Sequence, residues 1–330
     1  MKFTVTQLHR INLSDRTFDT GYKKDCSSLE VSISRFGIIS PVILLDLFEN
    51  QYRIITGFSR IRAAQKLMLL DIPAIILSSY DRSEKEYFMI NLEHNYPYRK
   101  YNPVEKGIIL HKASMKFKFN DDEIIEQIFP LIDLSNGQFD LKRYIEIDSY
   151  KENLKDLLAS GTITLETAGI LNDLKSEDTE TILNIFESFK PSASNQRVIL
   201  ETIDDIIKRD KCSIIELLDA IDLKSILDNK RMTSSQKCFK FMEKLKMRKF
   251  PIYCKAENRF KDLKKQLDLP SKVSIEHSPY FESPGIELKM KISNQRESKK
   301  ILDKLSEILF KQEFSDLFTI NDLLMGDVEE

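Results

Sequence analysis

Hydrophobic and polar positions change period several times over the first hundred residues. Leu29, Ile33 and Phe36 recur at helical spacing within Ser27 to Phe36, and Gly37 stops that run. Pro41 to Leu47 is a short β-branched strand, Asn50 lies in a polar turn, and Tyr52 to Thr56 is the hairpin partner. Gly57 then opens a helix that the pattern carries to Leu69. Ile72 to Leu77 predicts another strand, and Ser83 to Asn95 a helix capped by Ser83 with Glu86 three residues on. This alternation predicts a small α/β domain over residues 1–102.

From Pro103 the pattern is helical throughout. Pro103 suits a first turn before Val104 to Met115, and Asn120 caps Asp121 to Phe129 with acidic residues at the positive end of the helix dipole. Ser135-Asn136-Gly137 reads as a turn, followed by helices over Phe139 to Ile147, Lys151 to Ala159 and Thr164 to Leu174. Short helices with tight turns fit a helix-turn-helix, and equally a plain bundle. Beyond residue 190 the expected helices are Gln196 to Arg209, Ile214 to Leu227, Ser234 to Lys249 and Ala256 to Leu267. Lys272 to Glu276 and Ile286 to Ile292 alternate like paired strands, with a helix over Ser298 to Phe310 and a frayed end. The fold class expected is therefore α+β, in three parts: 1–102, 103–190 and 191–330.

Composition narrows this. A chain of 330 residues is too long for one ordinary core, and 42% hydrophobic with 31% charged residues fits a folded, soluble protein. No apolar run approaches the ~18–20 residues that cross a bilayer, and the N-terminus lacks the apolar core of a secretory signal. Cys26, Cys212, Cys238 and Cys254 are scattered without a CxxC pair, as suits a reducing compartment. The expected location is the cytoplasm, with no membrane partner.

Two segments carry chemistry. Gly57-Phe58-Ser59-Arg60-Ile61-Arg62 sits at a strand-to-helix junction, where a glycine permits close backbone approach and the helix N-terminus offers unpaired N–H groups to an anion. Arg60 and Arg62 add guanidinium forks suited to phosphate oxygens. Arginines in a first turn are more often solvated, so these residues alone leave both readings open. Glu93-His94-Asn95, Arg99 and Asn102-Pro103 join one helix to the next. Glu93 and Asn95 offer oxygen ligands to a hydrated magnesium ion, while caps at Asn95 and Asn102 explain the same residues more simply.

Taken together, FGIISP, ITGFSRIRAAQKL and EHNYPYRKYNPVEKG resemble the ParB/sulfiredoxin superfamily, whose partition proteins carry a G-[IL]-x-Q-P turn, a G-E-R-R-x-R-A box and an E-N-x-Q-R box running into N-P-x-E. The resemblance spans roughly Gln7 to Leu174 and implies a domain that binds CTP with magnesium, a helix-turn-helix after it, and a homodimer gated by the nucleotide. Gly37 and Pro41 match the base-side turn, and Gly57, Arg60 and Arg62 the phosphate box, with Thr56 and Ser59 in the same segment. Asn95 and Arg99 match the third box, Arg99 displaced by one position. Phe58 and His94 stand where the family places glutamates, so weak or absent hydrolysis is expected. Sulfiredoxin activity needs a cysteine directly after the box glycine, and Phe58 is there instead.

For DNA, the presumed recognition helix offers Gln138, Lys142 and Arg143, side-chain types that read adenine and guanine. Yet residues 103–175 hold nine Lys and Arg against thirteen Asp and Glu. Residues 230–265 reverse this, with thirteen basic residues against Glu243, Glu257 and Asp262. Lys244, Lys246, Arg248 and Lys249 there are the second DNA candidates, as a dense surplus implies an anionic partner. The sequence thus predicts a nucleotide- and DNA-binding protein of partition or regulation, associated with the nucleoid, with a small-molecule kinase of the same superfamily as the alternative.

Overall fold

Four short strands rich in β-branched residues build one sheet. β1 (Lys2–Gln7), β2 (Val42–Asp46), β3 (Tyr52–Thr56) and β4 (Asp71–Leu77) lie in the order β1-β4-β2-β3. β2 and β3 form an antiparallel hairpin, β2 runs parallel to β4 with Val42 opposite Ala74, and β1 pairs antiparallel with β4 at the edge. Alternate side chains leave by opposite faces, so the sheet feeds two cores. α1 (Ser27–Phe36) packs beside α2 (Phe58–Lys66), and Ile61 and Ala64 of α2 lie in one core with Val42, Leu44, Ile54, Ile72 and Ala74. On the other face, Leu45, Ile55 and Leu77 meet Tyr87, Phe88 and Leu92 of α3 (Glu84–Asn95) and Ile109 and Leu110 of α4 (Pro103–His111).

The coordinates are a computed structural model that describes residues 2–23, 25–48, 51–135, 137–283 and 285–320, with the backbone alone for 295–297. Asn50 and Asn136, in two of the predicted turns, and residues 321–330 of the expected frayed end lie outside the described residues.

α4 continues as a π-helical stretch, Lys112–Lys116. α5 (Asp121–Glu123) likewise runs on through Ile124–Ile128 and Phe129–Ile132, and α6 (Gly137–Glu146), α7 (Glu152–Ala159), α8 (Leu165–Asn172) and α9 (Ser176–Phe189) follow. Capping boxes at Ser83, Asn102 and Asn120 start α3, α4 and α5. The core behind the sheet extends without a break into this segment, through Phe117, Phe119, Ile124, Ile128, Phe129 and Leu141. That shared core is why residues 1–187 form a single compact unit and 188–330 a second. The sequence pattern divides the chain after 102 and after 190.

The second unit holds α10 (Ala193–Asp210), α11 (Ile214–Ala220), α12 (Leu223–Leu227), α13 (Ser234–Lys249) and α14 (Pro251–Gln266). The antiparallel pair β5 (Val273–His277) and β6 (Ile286–Met290), then α15 (Gln295–Leu309) and α16 (Gln312–Asp316), complete it. Phe260, Leu263, Ile275, Phe281 and Ile308 share its core. The chain has the expected fold class, α+β with a small N-terminal sheet and a mostly helical remainder.

Several elements differ from the sequence expectation. β1, α9 and α16 were not expected, the last standing where a frayed end was expected. Ile214 to Leu227 is two helices, because Asp222 adopts φ +51° between them. α2 ends at Lys66 rather than Leu69, because Met68 takes φ +54°. Among the described residues no helix is long and apolar enough to cross a membrane.

Candidate functional site

The hairpin strand β3 delivers Thr56 and Gly57 to the start of α2. Gly57 has φ +99°, and a Cβ there would lie 2.7 Å from Cγ1 of Val42, so both conformation and space demand glycine. The α2 N-terminus has no side-chain cap and no acidic residue in its first turn, leaving its N–H groups to water or a ligand. Asn91, buried on α3, donates to the Ile55 carbonyl and so fixes α3 against the end of β3, and Asn95 donates to the Asn91 carbonyl at 2.7 Å.

The three arginines take different posts. Arg60 donates to the carbonyls of Ser40 and Pro41, the latter at 2.7 Å, and so ties α2 to the turn that begins at Gly37. Gly37 (φ +72°) caps α1 there. Arg62 stands 3.8 Å from the Asp19 carboxylate. Arg99 donates to Glu105 at 2.7 Å and to the side chain and carbonyl of Thr20 at 3.2 Å, with its guanidinium 4.6 Å from the Tyr101 ring centre. A Cβ on Gly21 would meet Nη2 of Arg62 at 3.5 Å and Nη2 of Arg99 at 3.6 Å, so the two guanidinium groups converge over that glycine. Ser59 is half-buried in the first turn of α2.

Polar atoms left without partners collect here. Thr56 Oγ1, Arg62 Nε, His94 Nδ1 and Arg99 Nε are buried and unbonded, and the buried Tyr101 hydroxyl lies beside Thr20 at a geometry short of a hydrogen bond. Among the described residues no other buried side-chain nitrogen or oxygen is in this state. Each such atom costs about 1–3 kcal/mol. Burial, with Arg60 nearby, pushes His94 below the usual histidine range.

The loop Arg16 to Lys23 forms one wall. The Lys112 ammonium donates to the carbonyls of Arg16 and Asp19 at 2.6 Å and of Thr17 at 3.3 Å, and Lys116 donates to the Thr17 hydroxyl at 2.8 Å. Burial lowers Lys112 to about 8. At the loop's other end, Tyr22 and Lys23 both donate to Asp156 of α7, at 2.8 and 2.7 Å. Sequence reasoning missed Asp19, Thr20, Gly21, Asn91, Glu105 and Lys112. Glu105 alone had a signal, as the acidic residue of the quoted N-P-x-E run.

Magnesium wants oxygen ligands, commonly one or two carboxylates. The side chains of Asp19 and Glu105 are 9% and 2% exposed and already engaged. Asp19 accepts from Arg16 and the Gly21 N–H, and Glu105 from Arg99 and the N–H groups of Tyr22 and Asn102. Glu93 is exposed and two residues from Asn95, which places them on different sides of α3. With Asp19 and Glu105 already engaged, the residues present do not fit the ion, and among the described residues no three His, Cys, Asp or Glu assemble as a metal site.

On α6, Gln138 and Lys142 are exposed and share one face at i, i+4, while Arg143 lies 5.2 Å from the exposed Phe139 ring. In the second unit the four basic candidates each have an acidic partner. Lys244 pairs with Asp222 and donates to the Ile221 carbonyl, and Lys246 pairs with Glu257. Arg248 pairs with Asp210 at 2.7 Å, and Lys249 with Asp205. The charge count over residues 230–265 included Glu257 of α14 but not Asp205 and Asp210 of α10 or Asp222, the residue before α12.

Residues 3–92 match the family of the ParB N-terminal domain. The chain carries a ParB N-terminal domain. Its sheet, α2 and most of α3 fall inside that span, and Arg99 and Glu105 lie beyond it. The nucleoid occlusion protein of Geobacillus sp. (strain WCH70) is 26% identical over 180 residues, covering 54% of this chain and 59% of that one. That of Bacillus thuringiensis (strain Al Hakam) is 24% identical over 183 residues, 56% of this chain and 59% of that one. The matched region thus spans 59% of the length of these relatives. Two solved structures of C-terminally truncated ParB from Caulobacter crescentus also match. The one complexed with CTP-gamma-S has 17% identity and TM-score 0.26, covering 56% of this chain and 99% of that one. The one complexed to the centromeric parS site has 16% identity and TM-score 0.33, covering 55% and 91%.

Proposed function

We propose that the ParB N-terminal domain binds a nucleoside triphosphate, CTP by its motif resemblance, at the start of α2. Arg62 and Arg99 hold the phosphates, and Arg60 fixes the base-side turn Gly37 to Pro41 against the helix start. Thr56 and Ser59 line the same entrance. The observation that carries this reading is the collection of unbonded buried polar atoms at Thr56, Arg62, His94 and Arg99, the arginine N–H groups and the Thr56 hydroxyl being able to donate. A ligand rich in acceptor oxygens removes that cost. With Phe58 and His94 at the positions of the family's carboxylates, the nucleotide is held with little or no turnover.

The wider reading is a DNA-associated protein of partition or nucleoid organisation, acting as a homodimer. The first turn of α5 and the exposed face of α6 supply the helix-turn-helix, with Gln138 and Arg143 toward bases and Lys142 toward phosphate. The nucleoid occlusion relatives support this role. Titrating labelled CTP, ATP and GTP against the full chain tests the nucleotide reading. Charge-assisted contacts are worth about 1.5–3 kcal/mol, so Arg62→Ala should weaken CTP about ten-fold or more. Equal affinity in the two proteins removes the proposal.

A further inference from the structure

We infer that this site holds its nucleotide without a divalent cation, the phosphates being neutralised by protein side chains alone. The inference rests on the nucleotide reading above and specifies what that reading requires.

The donor set decides it. A protein that holds a magnesium ion on bound phosphates usually gives it one or two carboxylates, each with a free lone pair facing the ligand. Asp19 and Glu105 are the carboxylates beside Arg62 and Arg99, and both are engaged by guanidinium groups and backbone N–H groups. Drawing either toward a cation would strip a nearly buried ion pair of its partner, a loss of the kind that is strongly destabilising. The unbonded atoms point the same way. Arg62 Nε and Arg99 Nε can only donate, and the Thr56 hydroxyl can donate. These atoms seek acceptor oxygens, and none of them adds a negative ligand for a metal.

The charge balance agrees. Arg16, Arg60, Arg62, Arg99, Lys112 and Lys116 surround the site and its loop, against Asp15, Asp19 and Glu105. The open N-terminus of α2 adds a further partial positive charge. Cations already fixed in place can do the work that a bound metal would otherwise do.

The test is equilibrium dialysis of labelled CTP against the full chain, once with magnesium chloride and once with excess EDTA. The expected dissociation constants agree within about three-fold, a difference under 1 kcal/mol. Arg62→Ala and Arg99→Ala should lose binding equally in both media. His94→Glu places a new carboxylate at the site and should make binding stronger in magnesium than in EDTA. A wild-type affinity that falls by more than about three-fold in EDTA overturns the inference and leaves the nucleotide reading standing. No binding in either medium overturns both.

Discussion

Replacing Gly57 by alanine tests whether the strand-to-helix junction is as constrained as its geometry implies. Two costs add. The left-handed backbone at φ +99° is unfavourable for an L-residue by about 1–2 kcal/mol. The new Cβ would also stand 2.7 Å from Val42 Cγ1, a fully buried side chain between strands, and overpacking of this kind costs about 1–3 kcal/mol. The expected loss for Gly57→Ala is therefore about 2–5 kcal/mol. Gly161→Ala is the control, because Gly161 has φ +75° with no atom within 4 Å of where a Cβ would stand, so only the backbone cost of about 1–2 kcal/mol applies. Urea unfolding followed by tyrosine fluorescence measures the first unit selectively, as nine of the eleven tyrosines lie within residues 1–187 and there is no tryptophan. If the two variants unfold at the same urea concentration, Val42 does not press on position 57 and the reasoning fails.

Other outcomes follow from the same geometry. Phosphate release by the purified protein should be slow or absent, and robust release abolished by Arg62→Ala would show that Phe58 and His94 do not impair turnover. Lys112 sits near 8 when folded and 10.5 when unfolded, so between those values the unfolded chain holds the extra proton and stability rises with pH. Wild type should gain on Lys112→Met by up to about 1.4 kcal/mol per pH unit in that window, and parallel stability curves would contradict this. Lys142→Ala should weaken DNA binding for all sequences alike and reduce the salt slope by about 1, whereas Gln138→Ala should change sequence preference; gel shifts at several salt concentrations separate the two. Reversing Lys244, Lys246, Arg248 and Lys249 to glutamate should lower the stability of the second unit, because each abandons an acidic partner; an unchanged melt would mean those pairs contribute nothing.

Local signals explain which parts of the fold were legible. Gly37 ends α1 and the Ser83 box starts α3 through contacts within a few residues, and both boundaries follow from the sequence. β1 escaped notice although Phe3 and Val5 alternate with threonines, because its pairing partner lies some seventy positions away in β4. Asp222 is an ordinary aspartate until its φ is known. The site divides in the same way. Gly57, Arg62 and Arg99 stand in recognisable motifs, while Thr20 contacts Arg99 across 79 positions and Lys112 reaches the Asp19 carbonyl across 93. Nothing in the composition of Arg16 to Lys23 marks it as a wall of the site.

That loop is fastened at two ends, and the fastening makes it a thermodynamic link. Its Asp19-Thr20-Gly21 end touches the arginines, and its Tyr22-Lys23 end grips Glu152 and Asp156 of α7. Exposed ion pairs like the latter contribute little to stability, typically below about 1 kcal/mol, so α7 can let go cheaply. Whichever end is secured first spares the other part of the ordering entropy. Linkage is reciprocal: if a ligand at the arginines tightens the grip on α7, anything that seats α7 must tighten the ligand by the same factor. Asp156→Asn, at the α7 end of the loop, would then be felt as a weaker nucleotide site.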